Sequence, residues 1–269
     1  MNTVRQFFLI IPQKKGLSLF SLPATNQYQI IDSLKTDPSP CLIIKDKQWG
    51  NRIMIGGQLV SFVHCPQIIR QEIPEKLSLK DYKRLSYQII PDRFINGLDE
   101  KIISLTKKIV GQEKNLKKIA GKLYDFTLQY LTYGKPFEGL YSYKQALEEK
   151  MTDCGGFSTL LISLFQSLNI PSRLVVGYQL KPSLIKSLLS KTHIVSEAFA
   201  LTFRSLYPHV WVELKLPDGK WFPLDLTSSP HGFGFIPADR LVLSYGEDLE
   251  LNVKEKKYRI DILQKPIYL

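Results

Sequence analysis

Cysteine is scarce in this 269-residue chain, with only Cys41, Cys65 and Cys154 present. Their wide separation offers neither a disulfide framework nor a C-x-x-C pair for zinc. A reducing, cytoplasmic setting is the expectation. Histidine is scarce too, and His64, His193, His209 and His231 show no ligand spacing, so neither a metal nor a cofactor is expected. Long apolar runs are missing: Phe7 to Ile11 ends at Pro12, far short of the about 20 residues that a membrane-spanning helix needs. Arg5 alone makes a poor charged start for a signal peptide. There is no internal repeat and no low-complexity segment.

Acidic residues are in deficit, 25 against 36 Lys and Arg, which leaves a formal charge of +11. Such a balance raises nucleic acid or an anionic surface as partners. The lysines, however, scatter over expected helix faces (Lys107, Lys108, Lys114, Lys117, Lys118, Lys122) with no recognition motif and no interleaved aromatics. They read as solvated faces, and nucleic-acid binding is not expected.

The 44% hydrophobic content is enough for a large core. Residues 1–96 read as a β-rich region of short apolar runs, including Cys41 to Ile44 and Ile53 to Ile55, punctuated by Gly, Pro and Asn. Helices follow within residues 97–269, read as a second domain. Asp99 caps an amphipathic run through Val110 that Gly111 stops, and Leu116 to Leu131 repeats at helical spacing, a second helix reaching about Tyr133. Ser142 and Gln145 form a capping-box pattern. Phe157, Leu160, Leu161, Leu164 and Leu168 share a face, so Cys154 stands at the entrance of a strongly apolar helix closed off by Pro171. Leu174 to Val176 reads as a buried strand. His209 to Leu216 alternates as another, and Pro217-Asp218-Gly219 turns it into a hairpin with Trp221 to Leu226. Lys181 to Leu206 is a long insertion ahead of His209, fit for a lid or a passive extension. The fold class is α+β.

A thiol at a helix N-terminus is a candidate nucleophile, because unpaired backbone N–H groups favour the thiolate. Gly155 and Gly156 would let a carbonyl approach the backbone and take the Cys154 N–H as an oxyanion donor. A buried structural thiol is the competing reading, and Asp153 next door opposes a lowered thiol pKa. A nucleophile also needs a base, and the base needs an orienting partner. Glu213 reads as a solvated rim charge, Arg173 as the structural partner of a carboxylate such as Glu149, and Trp211 and Trp221 as core or groove-wall aromatics.

Four blocks in order supply these partners: Asp153-Cys154-Gly155-Gly156-Phe157, Asn169 to Tyr178, Pro208 to Glu213, and Trp221 to Thr227. Together they resemble the transglutaminase-like family of the papain-like superfamily, over roughly residues 98–227. Met151-Thr152 stands where members often carry Gly, and Val210 where they often carry Ala; neither change removes a reacting group. The resemblance implies a papain-like core with an antiparallel sheet, preceded here by the β-rich region. It implies a triad of Cys154 as nucleophile, His209 as base and Asp225 as orienter. The second oxyanion donor would be a side chain upstream of the cysteine, with Tyr141, Tyr143 and Gln145 as candidates. The expected activity is acyl transfer on a peptide or protein substrate, hydrolysis first and amine-accepting crosslinking second. A scaffold that has lost activity is the rival. A two-residue turn at Asp218-Gly219 would place Asp225 opposite Val212, about 10 Å along the strand from His209. A bulge at Pro223 or a wider loop would bring it closer.

Overall fold

A computed structural model describes residues 6–9, 19–37, 42–45, 49–55, 58–84, 88–134, 139–182, 204–227, 232–246, 249–253 and 256–260. Cys41, His193, His231 and nearly all of the insertion at 181–206 lie outside them. The chain is α+β and divides into two compact units, residues 1–68, 176–209 and 237–269 in one, and 69–175 with 210–236 in the other.

The first unit begins with strands β1 (Gln6–Leu9), β2 (Leu19–Leu22), β3 (Gln29–Asp37), β4 (Leu42–Lys45), β5 (Arg52–Ile55) and β6 (Gln58–Pro66). They form two three-stranded sheets, ordered β1-β6-β3 and β2-β5-β4. Every described pairing in them is antiparallel. Leu22, Met54 and Phe62 pack with Tyr178, Leu180 and Leu241 in one core. The buried Gln29 amide clamps this core, donating to the carbonyls of Ala24 and Val242 at 2.9 and 2.8 Å and accepting from the Val242 N–H. A buried amide so satisfied stabilises rather than costs.

The second unit opens with β7 (Ile69–Arg70), a 3-10 turn (Leu79–Arg84), α1 (Glu100–Val110), α2 (Leu116–Tyr130), β8 (Thr132–Tyr133), α3 (Tyr143–Glu149), β9 (Met151–Thr152) and α4 (Cys154–Gln166). The expected punctuation is present. Asp99 accepts from the N–H groups of Lys101 and Ile102, Gly111 ends α1 at φ 62°, and Ser142 and Gln145 make both bonds of the capping box. Leu116, Ile119, Ala120 and Leu123 of α2 are buried, as the 3.6-residue period requires. Every residue of α4 after Cys154 is buried, so this helix is the unit's core, clad by α1, α2 and α3.

The remaining strands are β10 (Ser172–Pro182), β11 (Arg204–Lys215), β12 (Trp221–Asp225), β13 (Gly232–Phe233), β14 (Phe235–Ile236), β15 (Arg240–Tyr245), β16 (Leu249–Val253) and β17 (Lys256–Ile260). In the second unit the order runs β13-β12-β11-β10, and in the first β10 neighbours β15. Gly177 is required at that second approach, since a Cβ there would overlap the Leu241 carbonyl.

Candidate active site

Cys154 is half-buried at the first position of α4, where the chain leaves the two-residue strand β9. Asp153 is the N-cap, with extended backbone angles and its carboxylate accepting the Gly155 N–H at 2.8 Å. The two glycines have a packing reason in addition to the one expected from sequence. A Cβ on Gly155 would press on Asp153 Oδ1 and Leu140 Cδ1 at 2.9 and 3.0 Å, and one on Gly156 would overlap Thr152. Small residues therefore let β9 cross tightly over the first turn of the helix that carries the thiol.

The hairpin explains how its aspartate is placed. Lys215 pairs with Trp221, Leu214 with Phe222, Glu213 with Pro223 and Val212 with Leu224. The loop is one residue wider than a two-residue turn: Leu216 N–H donates to the Lys220 carbonyl at 2.7 Å, enclosing Pro217, Asp218 and Gly219, with Gly219 at φ 90°. Continuing this register by one residue sets Asp225 across from Trp211, not Val212. Because side chains alternate along a strand, a one-residue shift exchanges faces. Asp225 thereby joins the face of β11 that bears Trp211 and Glu213. Pro223 pairs regularly, so the wider loop makes the shift and a bulge does not.

Asp225 is fully buried at the end of β12. Its Oδ1 accepts the Thr227 N–H at 3.2 Å, its backbone pairs with Gly232, and its carbonyl accepts the Tyr124 hydroxyl at 3.0 Å. His209 is 7% exposed, and Trp211 beyond it is fully buried.

Two charges behave otherwise than the sequence suggests. Glu213 is 0% exposed, not a solvated rim charge, and Arg173 pairs with it. The Arg173 Nε donates to Glu213 Oε2 at 2.6 Å while its guanidinium lies 3.9 Å from the centre of the Trp221 ring. Arg173 starts β10 and Glu213 lies inside β11, so each buried charge needs the other.

The oxyanion candidates are placed as follows. Tyr143 donates its hydroxyl to Asp99 Oδ2 at 2.9 Å, and burial with that bond pushes its pKa up to about 12. The Gln145 amide oxygen accepts from the Ser142 N–H and hydroxyl, at 2.9 and 3.0 Å, in the capping box. Both groups are thus committed to starting α1 and α3. Tyr141 is buried, its carbonyl accepts the Thr159 hydroxyl at 3.0 Å, and its backbone N would lie 3.3 Å from a Cβ on Gly155.

Sequence reasoning missed Tyr133. It lies on β8, which pairs in parallel with β9 so that Tyr133 stands beside Thr152. Its ring centroid is 6.4 Å from that of Phe157, which follows Cys154 by three residues and shares its helix face. Tyr133 is 59% exposed. Its phenol pKa is raised by burial first, and then by the neighbouring Cys154, Asp153 and Asp225. Strands of two residues leave no periodic signal, which is why the sequence did not reveal it. Among the described residues, no three His, Cys, Asp or Glu side chains converge as a metal site would require, and no helix is long and apolar enough to cross a membrane.

The family model of the Transglutaminase-like superfamily matches residues 103–226, a span that includes Cys154, His209 and Asp225. No curated protein matches the sequence. Among solved structures, the chain is similar to a candidate cysteine protease from Cytophaga hutchinsonii, at 16% identity and a TM-score of 0.48, covering 90% of this chain and 79% of that one. It is also similar to the periplasmic domain of TgpA from Pseudomonas aeruginosa, at 14% identity and a TM-score of 0.44, covering 84% of each.

Proposed function

Starting from a chain whose residues 103–226 belong to the transglutaminase-like superfamily, we propose that the protein is a cysteine enzyme that transfers acyl groups from amide bonds. The observation that carries this reading is the family match over residues 103–226, supported by the half-buried Cys154 at the start of α4 and the buried Asp225 at the end of β12.

In the proposed reaction the Cys154 sulfur attacks an amide carbonyl carbon while His209 takes the thiol proton. The tetrahedral oxyanion accepts the Cys154 N–H at the start of α4. On collapse the C–N bond breaks, the imidazolium returns its proton to the departing amine, and a thioester remains. Water, deprotonated by His209, then attacks the thioester carbonyl, releasing a carboxylic acid and restoring the thiol. Asp225 holds the imidazole tautomer and offsets the imidazolium charge. Hydrolysis of a peptide or protein is the reading preferred here. An amine in place of water would yield a crosslink by the same steps. Because the free thiol is the working group, a reducing compartment such as the cytoplasm suits the protein.

The test is the full chain incubated with casein, with and without a fluorescent primary amine. New peptide termini that vanish in Cys154→Ala support hydrolysis, and amine incorporation that vanishes in the same variant supports crosslinking. Equal activity of wild type and Cys154→Ala in both assays refutes the proposal.

A further inference from the structure

Strand β8 has one edge occupied and one edge bare. Thr132 N–H donates to the Lys150 carbonyl at 2.7 Å and Gly134 N–H to the Thr152 carbonyl at 2.9 Å, so the residues on either side of Tyr133 are bonded along β9. Bonding direction alternates from residue to residue in a strand, which turns the N–H and C=O of Tyr133 itself to the opposite edge. Among the described residues nothing pairs with them. Thr132 and Tyr133 are both exposed, and neither carries a charge to discourage a further strand. The occupied edge is fixed. Thr152 is buried against Gly156, where a Cβ would overlap it, so β9 is seated on the first turn of α4 and β8 with it. Cys154 opens that turn, and the Tyr133 ring lies near Phe157, one turn further on. We propose that the bare edge of β8 is a docking strand for an extended segment of the acyl-donor polypeptide, which exchanges main-chain hydrogen bonds with the Tyr133 N–H and C=O and is thereby laid beside Cys154. The inference rests on the acyl-transfer reading for its chemistry, though not for the docking itself.

The chemistry of the edge selects its occupant. One N–H and one C=O side by side on a strand complement the C=O and N–H of another extended backbone, the pairing by which a peptide adds a strand to an exposed sheet edge. A helical segment bonds these groups within itself and has none to offer. The side chains fit the same occupant. Successive residues point to opposite faces: Tyr133, 59% exposed, lies on the face toward α4, while Met151, 47% exposed and paired with Thr132, lies on the other. Gly134 has no side chain to cover Met151, whose Cγ lies 3.3 Å from where a Cβ would stand. Alternate side chains of a docked segment therefore meet an aromatic ring on one face and a thioether on the other, both suited to apolar groups of varied shape. Main-chain bonds supply the affinity, and these two contacts favour apolar residues over charged ones. The preferred donor is an unfolded or loop segment of a protein, apolar near the scissile amide.

The probes are pentapeptides of alternating Val and Ser with an electrophile at either end. A C-terminal chloromethyl ketone places the residues before the reacting carbonyl, and an N-terminal chloroacetyl group places them after it. The measurement is the alkylation rate of Cys154 in the full chain, assigned by mass spectrometry, relative to that of the bare electrophile, chloroacetone or chloroacetamide. The same ratio for 2-mercaptoethanol is the reference, so the reactivity of the thiol cancels. Two net main-chain hydrogen bonds correspond to about tenfold, and at least one series should exceed the reference by about that factor. N-methylation removes a single N–H. It should cut the advantage about threefold or more at one residue and far less at the residues on either side, whose N–H groups face away from β8. Pro is tolerated on an edge strand where its nitrogen faces outward, so Tyr133→Pro, which lacks the N–H, should show a lower ratio than Tyr133→Val, which keeps it. No advantage in either series, equal losses on N-methylation of adjacent residues, or equal ratios in Tyr133→Pro and Tyr133→Val overturns the inference. A patterned advantage at a Cys154 that chloroacetamide alkylates no faster than an ordinary thiol overturns the acyl-transfer reading and leaves the docking strand standing.

Discussion

Replacing Glu213 by Gln keeps the size of the side chain and removes its charge, which isolates what the buried pair contributes. Glu213 is 0% exposed and its partner's side chain 9% exposed, at a separation of 2.6 Å. A guanidinium left in this setting without its carboxylate keeps its stacking on Trp221 but loses its counter-charge. Breaking a buried pair on one side costs about 3–5 kcal/mol. For a chain of this size each kcal/mol moves Tm by about 2–4 °C, so a fall of at least about 6 °C is expected. Arg173→Met should cost a similar amount. The double variant Arg173→Met/Glu213→Gln should recover much of the loss, because no lone charge remains buried. Urea unfolding of all four proteins closes the cycle, with an expected coupling of about 2 kcal/mol or more. Single variants that each cost under about 1 kcal/mol, or a double equal to the sum of the singles, would refute the reasoning.

Gly156→Ala should destabilise by about 1–3 kcal/mol despite the better helix propensity of Ala, because its Cβ would overlap Thr152 Oγ1 and lie 2.8 Å from Cγ2. In a Thr152→Ala background, thermal melting should show that penalty at least halved. Asp99 provides an acid-dependent term. Burial raises its pKa, but the Tyr143 hydroxyl, the Ile102 and Lys101 amides and Lys144 together lower it below the usual value. A lowered carboxyl contributes stability above its unfolded pKa, about 3.9, and loses it as pH falls through the folded value. Wild type should therefore lose more stability than Asp99→Asn between pH 5 and pH 3 in urea titrations; parallel curves would count against the Asp99–Tyr143 bond.

Much of the helical framework was legible because its signals are local. Asp99, Gly111, Ser142 and Gln145 act within one turn of themselves, and α4 announces itself through an apolar face stopped near Pro171. The hairpin was legible as a hairpin, but its register was not. Whether Pro217-Asp218-Gly219 closes as a two-residue or a three-residue loop depends on the backbone of Leu216 and Lys220, and one residue decides which face Asp225 takes. The Arg173–Glu213 pair was hidden because it joins residues 40 apart whose strands become neighbours only in the sheet. Tyr133 was hidden because β8 and β9 are two residues each.

The central claim is that Cys154 is a nucleophile activated by His209, and alkylation against pH tests it most directly. Iodoacetamide labelling of wild type and His209→Ala, with the modified residue assigned by mass spectrometry, should show Cys154 reacting well below the ordinary thiol pKa near 8.5. That reactivity should disappear in His209→Ala. A Cys154 that titrates like an ordinary thiol in both proteins would contradict the account and favour a scaffold that keeps the fold without the chemistry.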